Sequence, residues 1–191
     1  MANTLQEFKA SMNRAGGFAR LTHYDVEIHP PSGLANFVTA ASGQSTNISE
    51  YAKDVALHCD TIQMPGHDLK TQDVQRGSAP VRKQVTAHGY SGKCAATFYL
   101  DAHLDTKTFF EMWQQMAVNP VTHKARYYDS YKDATMKIFQ HAGMGRTYGV
   151  ELEEVYPETI GQIEYTYTGE GVATLAVGFN YRKWHTLGRL D

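Results

Sequence analysis

From Val172 to Tyr181 the chain alternates, with Ala173, Leu175, Val177, Phe179 and Tyr181 set against Thr174, Ala176, Gly178 and Asn180. Period two describes a strand with one buried face. Just upstream, Ile163, Tyr165 and Tyr167 alternate with Gln162, Glu164, Thr166 and Thr168, and Gly169-Glu170-Gly171 between the two runs predicts a hairpin turn. Earlier still, Tyr148, Val150 and Leu152 alternate with Gly149, Glu151 and Glu153 until Glu153-Glu154 shifts the phase. A bulge or strand end is expected there, with Pro157 ending the pairing. Opposite the apolar face these strands carry Glu151, Glu153, Glu154, Glu158, Glu164 and Glu170. An acidic sheet face is ordinarily solvated surface.

Nearer the N-terminus, Leu5, Phe8 and Met12 have helical spacing behind Asn3, which can cap a short helix, and Gly16-Gly17 stops it. So short a helix is marginal alone and predicts an N-terminal arm, residues 1–19, that docks on this subunit or a neighbour. Thr22, Tyr24, Val26 and Ile28 predict the first strand. From Pro30 to Glu50 the chain is rich in Gly, Ala, Ser, Thr and Asn, with one apolar cluster at Leu34, Phe37 and Val38, and reads as a surface insertion. Val55, Leu57 and Cys59 predict a second strand, and Met64-Pro65-Gly66 a turn.

The stretch 71–90 reads as an extended hairpin: Thr71, Gln72, Asp73, Val74, Gln75 and Arg76, then Arg82, Lys83, Gln84, Val85 and Thr86, around Gly77-Ser78-Ala79-Pro80. Its apolar side chains are only Val74, Val85, Ala87 and Tyr90. A hairpin with so thin a face is barely stable alone in water, so it is either a floppy loop or finds partners on another chain. Cys94, Ala96, Phe98 and Leu100 predict a further strand. Asp105 is placed to cap a helix bearing Phe109, Phe110, Met112, Trp113 and Met116, ended by Asn119-Pro120; an aromatic stripe at this spacing is ordinarily core packing. Met136 and Ile138 lie on one more strand, which leads through Gly143-Met144-Gly145. The fold class predicted is mainly β: an antiparallel sandwich or nearly closed barrel with one packed helix, a long protruding hairpin and an N-terminal arm.

At 191 residues and 42% hydrophobic the chain suits one domain, 1–191. Its formal charge of -2, from 18 basic and 20 acidic residues, argues against adhesive, sequence-independent nucleic-acid binding, which needs a basic face. No signal peptide pattern and no apolar run of about 18 residues is present, so synthesis in a cytoplasm without membrane insertion is expected. In that setting Cys59 and Cys94 are expected as free thiols, and Asn47-Ile48-Ser49 has no meaning as a glycosylation acceptor.

The nine histidines are scattered, and His23 and His29 lie six residues apart on one strand face, too far for one metal. Gly89-Tyr90-Ser91-Gly92-Lys93 is neither a nucleophile elbow nor a phosphate-binding loop, and Gly143 to Gly149 lacks the dinucleotide spacing. No catalytic, metal or cofactor site is expected.

Val155-Tyr156-Pro157-Glu158-Thr159-Ile160-Gly161, followed by the run Leu175 to Trp184, resembles the closing segment of tail tube proteins of contractile-tailed bacteriophages. In the same order upstream, Leu57 to Gly66 and the helix around Phe109 to Trp113 extend the resemblance over roughly residues 12–184. It implies a virion structural protein whose hexameric rings stack into a hollow tube, with strands of six copies joined in one barrel. It further implies packing of the hairpin against neighbouring subunits, a sheath outside, baseplate and terminator proteins at the ends, and tape-measure protein and then DNA in the lumen. Glu151, Glu153 and Glu164 are candidates for the lumen wall, since an acidic or neutral wall would not hold phosphates. Rival readings are a baseplate tube initiator, a tube of a type VI secretion or extracellular injection system, or a monomeric ligand-binding barrel with Tyr148, Phe179 and Tyr181 lining its cavity.

Overall fold

The computed structural model of the protein describes residues 4–14, 16–42, 47–90, 92–142, 145–167 and 171–189. Along the chain run α1 (Leu5–Arg14), β1 (Tyr24–His29), α2 (Gly33–Ser42), α3 (Ile48–Leu57), β2 (Cys59–Ile62), β3 (His67–Val74), β4 (Arg82–Tyr90) and β5 (Lys93–Tyr99). There follow α4 (Asp105–Ala117), β6 (Thr135–Ala142), β7 (Gly145–Glu153), β8 (Tyr156–Ile160), β9 (Thr174–Asn180) and β10 (Lys183–Arg189). The strands form two antiparallel four-stranded sheets, β1-β6-β7-β10 and β2-β5-β9-β8, and β3 pairs with β4 alone. The architecture is the mainly β sandwich expected, with more helix than the single packed one.

Period-two alternation builds the core. Val26, Ile28, Met136, Ile138, Val150 and Leu152 from one sheet meet Cys94, Ala96, Phe98, Leu175, Val177 and Phe179 from the other, all buried. The helix α4 adds Phe109, Phe110, Trp113 and Met116; the Phe110 ring lies 5.0 Å from Phe98 and 5.6 Å from Phe179. Helix α3 packs against β1, and α4 against β8.

Several local expectations are corrected. The segment from Pro30 to Glu50 is not a surface excursion: α2 and the start of α3 occupy it, and Leu34 (0% exposed), Val38 (5%) and Ile48 (6%) belong to the core. Val55 and Leu57 are helical rather than extended. Ile48, Ala52, Val55 and Ala56 form the buried stripe of α3, capped by Asn47, whose side-chain oxygen accepts from the N–H of Glu50.

Pro157 does not end the pairing but lies inside β8, at the edge of its sheet, where its missing N–H costs nothing. The strand anticipated from Gln162 to Thr168 is absent: residues 161–167 form no element, and β9 takes β8 as its neighbour instead. Thr168, Gly169 and Glu170, like Asn3, Gly143 and Met144, lie outside the described residues. The chain crosses between the sheets at Tyr181-Arg182, so that Trp184 belongs to a separate strand, β10, on the other sheet. The phase shift at Glu153-Glu154 is a strand end, with Glu154 at φ 57°.

Asp105 is not the cap of α4. Leu104 precedes the helix at φ 58°, and the carboxylate of Asp101 accepts from the N–H groups of His103 (3.0 Å), Asp105 (2.8 Å) and Thr106 (3.2 Å). Burial opposes ionisation of Asp101, but these bonds and the Thr106 hydroxyl together hold its carboxyl below the usual carboxylate range.

Candidate assembly surfaces

All eight residues of β3 are exposed, and in β4 only Gly89 is buried. The register places Thr71 opposite Val85, Gln72 opposite Gln84, Asp73 opposite Lys83 and Val74 opposite Arg82. A shift between Lys70 and Thr71 leaves Thr86 without a facing residue, and its hydroxyl donates to the Lys70 carbonyl at 3.1 Å. Gln75 and Arg76 lie at the tip, where the Gln75 amide donates to the Ala79 carbonyl at 3.3 Å. The hairpin is four residues longer at its root than its polar sequence suggested, because His67 to Lys70 continue β3.

That root is fastened to the sandwich. The His67 ring stacks on Trp184 and meets Tyr90 edge-on at 5.1 Å, and the Trp184 indole N–H donates to the Gly66 carbonyl at 3.2 Å. Sequence reasoning missed this clamp, since nothing local ties residue 67 to residue 184.

The helix α1 has no buried residue and leaves Leu5 and Phe8 exposed. Thr4 and Glu7 cap it reciprocally: the Glu7 N–H donates to the Thr4 hydroxyl at 3.3 Å, and the Thr4 N–H to the Glu7 carboxylate at 2.8 Å. Its only aromatic contact among the described residues is Phe8 with Phe18, rings 6.1 Å apart.

The outward faces of the two sheets differ in chemistry. On β1-β6-β7-β10, Glu27, Lys137, Glu151 and His185 lie side by side across the strands, and the next row contains His29, Thr135, Glu153 and Lys183. Glu151 lies 3.8 Å from Lys137 and 3.6 Å from His185, and Glu153 lies 2.9 Å from Lys183 and 3.1 Å from His185. Arg146 bridges Asp25 and Glu27 and covers the Phe139 ring at 3.9 Å. Phe139 in turn needs Gly149 opposite, where a Cβ would approach its ring to 2.7 Å.

The sheet β2-β5-β9-β8 presents mainly small and uncharged residues outward: Ala95, Thr97, Tyr99, Thr174, Ala176, Gly178 and Asn180. Of the candidate wall residues, Glu151 and Glu153 thus share one charged face. Glu164 lies apart, exposed and in no element.

Phe179 and Tyr181 are packed in the core and the Tyr148 side chain is exposed on β7, so these three do not line a common cavity. Cys59 and Cys94 are free thiols. Burial, with lesser effects of Cys94 and Asp60, pushes Cys59 up to about 12. Burial likewise raises Cys94 to about 11, and its thiol donates to the Gln63 carbonyl at 3.0 Å. Among the described residues no three His, Cys, Asp or Glu side chains converge on a metal-sized site, and no helix is long and apolar enough to cross a membrane.

The fold is a two-sheet antiparallel sandwich from which a hairpin protrudes, with an amphipathic N-terminal helix that has no buried residue. The chain belongs to the phage tail tube protein family, whose model matches residues 19–187. It is a structural component of the tail tube and of the virion tail.

Solved structures repeat the fold at low identity. A chain of the PVC sheath–tube complex of an extracellular contractile injection system, in the extended state, superposes with a TM-score of 0.59 at 6% identity, covering 98% of this chain and 99% of that one. A chain of the PVC sheath/tube terminator, also extended, gives 0.59 at 8% identity over 90% and 97%. One from the anti-feeding prophage baseplate gives 0.54 at 10% identity over 90% and 97%. No curated protein matches the sequence.

Proposed function

We propose that the protein forms the inner tube of a contractile tail, its hexameric rings stacking into a conduit for tape-measure protein and then DNA. In this reading residues 1–191 act as one tube subunit, with 1–19 as an arm. The sheath protein meets the outer surface, and terminator and baseplate proteins meet the ends, as the sheath–tube, terminator and baseplate assemblies of similar fold suggest.

The observation that carries the reading is the hairpin. Thr71 to Thr86 protrude with Val74 and Val85 exposed, so the subunit alone gives these strands almost no apolar cover. Fixing each backbone residue costs on the order of 1 kcal/mol, which a neighbouring subunit would offset.

Negative-stain microscopy of the purified protein tests the reading. Rings or tubes are expected. A species that stays monomeric by size exclusion at high concentration would overturn it.

A further inference from the structure

Two histidines, His67 and His88, share one face of the hairpin root. The register sets His67 opposite Tyr90 and Leu69 opposite His88, so these four side chains belong to one side of the ribbon, while Asp68 and Gly89 belong to the other. The two imidazoles are diagonal neighbours across the strands, with ring centroids 5.8 Å apart and planes inclined by 45°.

That separation suits a shared metal ion. An imidazole nitrogen binds zinc at about 2.0–2.1 Å, which sets the ion roughly 3.2 Å from the ring centroid, so two rings on one ion have centroids between roughly 4.5 Å, at a right angle, and roughly 6.4 Å, in line. The observed 5.8 Å falls inside this range.

Both rings are also uncommitted. Among the described residues neither imidazole takes part in a hydrogen bond or an ion pair, and both lie exposed on their strands. His67 is nonetheless held in place, since Trp184 stacks on its face at 4.0 Å and Tyr90 meets it edge-on. Metal–nitrogen bonds lie in the plane of an imidazole, so coordination leaves the stacked face undisturbed.

We propose that His67 and His88 form a two-histidine site for a divalent transition-metal ion, of the zinc, nickel and copper class, which staples β3 to β4 at the root of the hairpin. Imidazole donors with no carboxylate on their face select such ions over calcium and magnesium, which take oxygen ligands. Two protein ligands are fewer than a structural or catalytic zinc site has, so water fills the remaining positions and the ion exchanges freely. Binding favours the paired strands, because an unpaired chain does not hold the two rings together. The staple adds to the Trp184 clamp where apolar cover is thin, and it does not depend on the tube reading.

Titration of the full-length soluble subunit with zinc and with nickel at neutral pH tests the site. One ion per subunit should bind saturably, and nickel should quench the emission of Trp184, which lies against His67, more than that of Trp113, which lies in the core. His67→Ala and His88→Ala should each weaken binding by roughly tenfold or more. His185→Ala, at an imidazole already placed between Glu151 and Glu153, should bind as the unsubstituted subunit does. Amides of His67 to Lys70 and Ala87 to Tyr90 should exchange more slowly with zinc present, recover on chelation, and ignore zinc in His88→Ala.

His88 is exposed, so its substitution is read on a folded subunit even if loss of His67 disturbs the clamp. Binding that survives His88→Ala at full affinity, binding lost in His185→Ala as well, or no saturable binding by the unsubstituted subunit overturns the proposal.

Discussion

The indole of Trp184 and the imidazole of His67 lie stacked, with centroids 4.0 Å apart and planes inclined by 19°. The contact joins the start of β10 to the root of the protruding hairpin, so that the hairpin leaves the sandwich in one direction rather than swinging on Gly66. Trp184 is only 8% exposed. Trp184→Ala should therefore cost about 3 kcal/mol in chemical denaturation, through lost packing and a cavity. Trp184→Phe, which keeps a ring but loses the bond to the Gly66 carbonyl, should cost about 1 kcal/mol. Equal losses for the two would mean that stacking contributes nothing.

Beyond that root the hairpin is expected to be ordered by assembly. Amides of Thr71 to Thr86 should exchange fast in soluble subunits and slowly in tubes, while those of Leu175 to Phe179 are slow in both. Val85→Pro removes one backbone donor and fixes φ without touching the core. It should leave a subunit of unchanged melting temperature that no longer stacks. A variant that unfolds as a monomer, or polymerises normally, would show the hairpin to be an ordinary internal pair.

Replacing Pro30 to Glu50 by a short Gly-Ser turn should destroy the soluble fold. The segment contributes Leu34, Val38 and Ile48 to the core. Burial of each is worth about 1.5–3 kcal/mol, and their sum rivals the whole stability of a small domain. The milder Leu34→Ala should cost about 3 kcal/mol by thermal or chemical melting, and a loss below about 1 kcal/mol would remove α2 from the core.

This segment also shows where a single sequence becomes ambiguous. Strand β9 was legible because seven residues keep strict alternation, and α4 because its aromatics repeat at helical spacing. Val55, Leu57 and Cys59 also alternate, but three apolar residues fit a strand and the end of a helix equally well. Ile48, Ala52, Val55 and Ala56, behind the Asn47–Glu50 cap, held the better helical signal.

In the sequence Pro157 signals a stop because a proline is excluded from central strands; whether a strand is an edge is decided by tertiary pairing. The candidate hairpin was legible through its lack of apolar residues. Its clamp at Trp184 was not, since it joins positions far apart in the chain. The same holds for the grouping of Glu151 and Glu153 with Lys137 and Lys183, and the separation of Glu164 from them.

The native thiols should be inert in the folded subunit. With Cys59 at about 12 and Cys94 at about 11, neither has appreciable thiolate at pH 8, and only the thiolate is alkylated. Iodoacetamide at that pH should label both only after unfolding. The shift also sets a stability trend. The unfolded thiols lose their protons near pH 8.5 and the folded ones well above it, so this contribution is complete below about pH 8.5 and declines as pH rises toward the folded values. Rapid labelling of the native subunit would contradict the buried placement of Cys94.

Charge reversal separates the three candidate wall carboxylates. Glu151→Lys sets an ammonium beside Lys137 and His185, and Glu153→Lys removes the partner of Lys183, so each should lower stability by about 1 kcal/mol, the upper range for an exposed pair. Glu164 has no ion pair among the described residues, and Glu164→Lys should change stability by less than about 0.5 kcal/mol. The losses are small enough for assembly to proceed, so an effect on transport can be read in intact particles. In the tube reading, with Glu151 and Glu153 as candidate wall residues, Glu151→Lys and Glu153→Lys raise the positive charge of the wall and should slow DNA ejection, increasingly so at low salt, where phosphate attraction is strongest. Glu164→Lys should eject at the unaltered rate. Slowing by Glu164→Lys alone would place the wall elsewhere, and unchanged ejection in all three would show that wall charge does not govern passage.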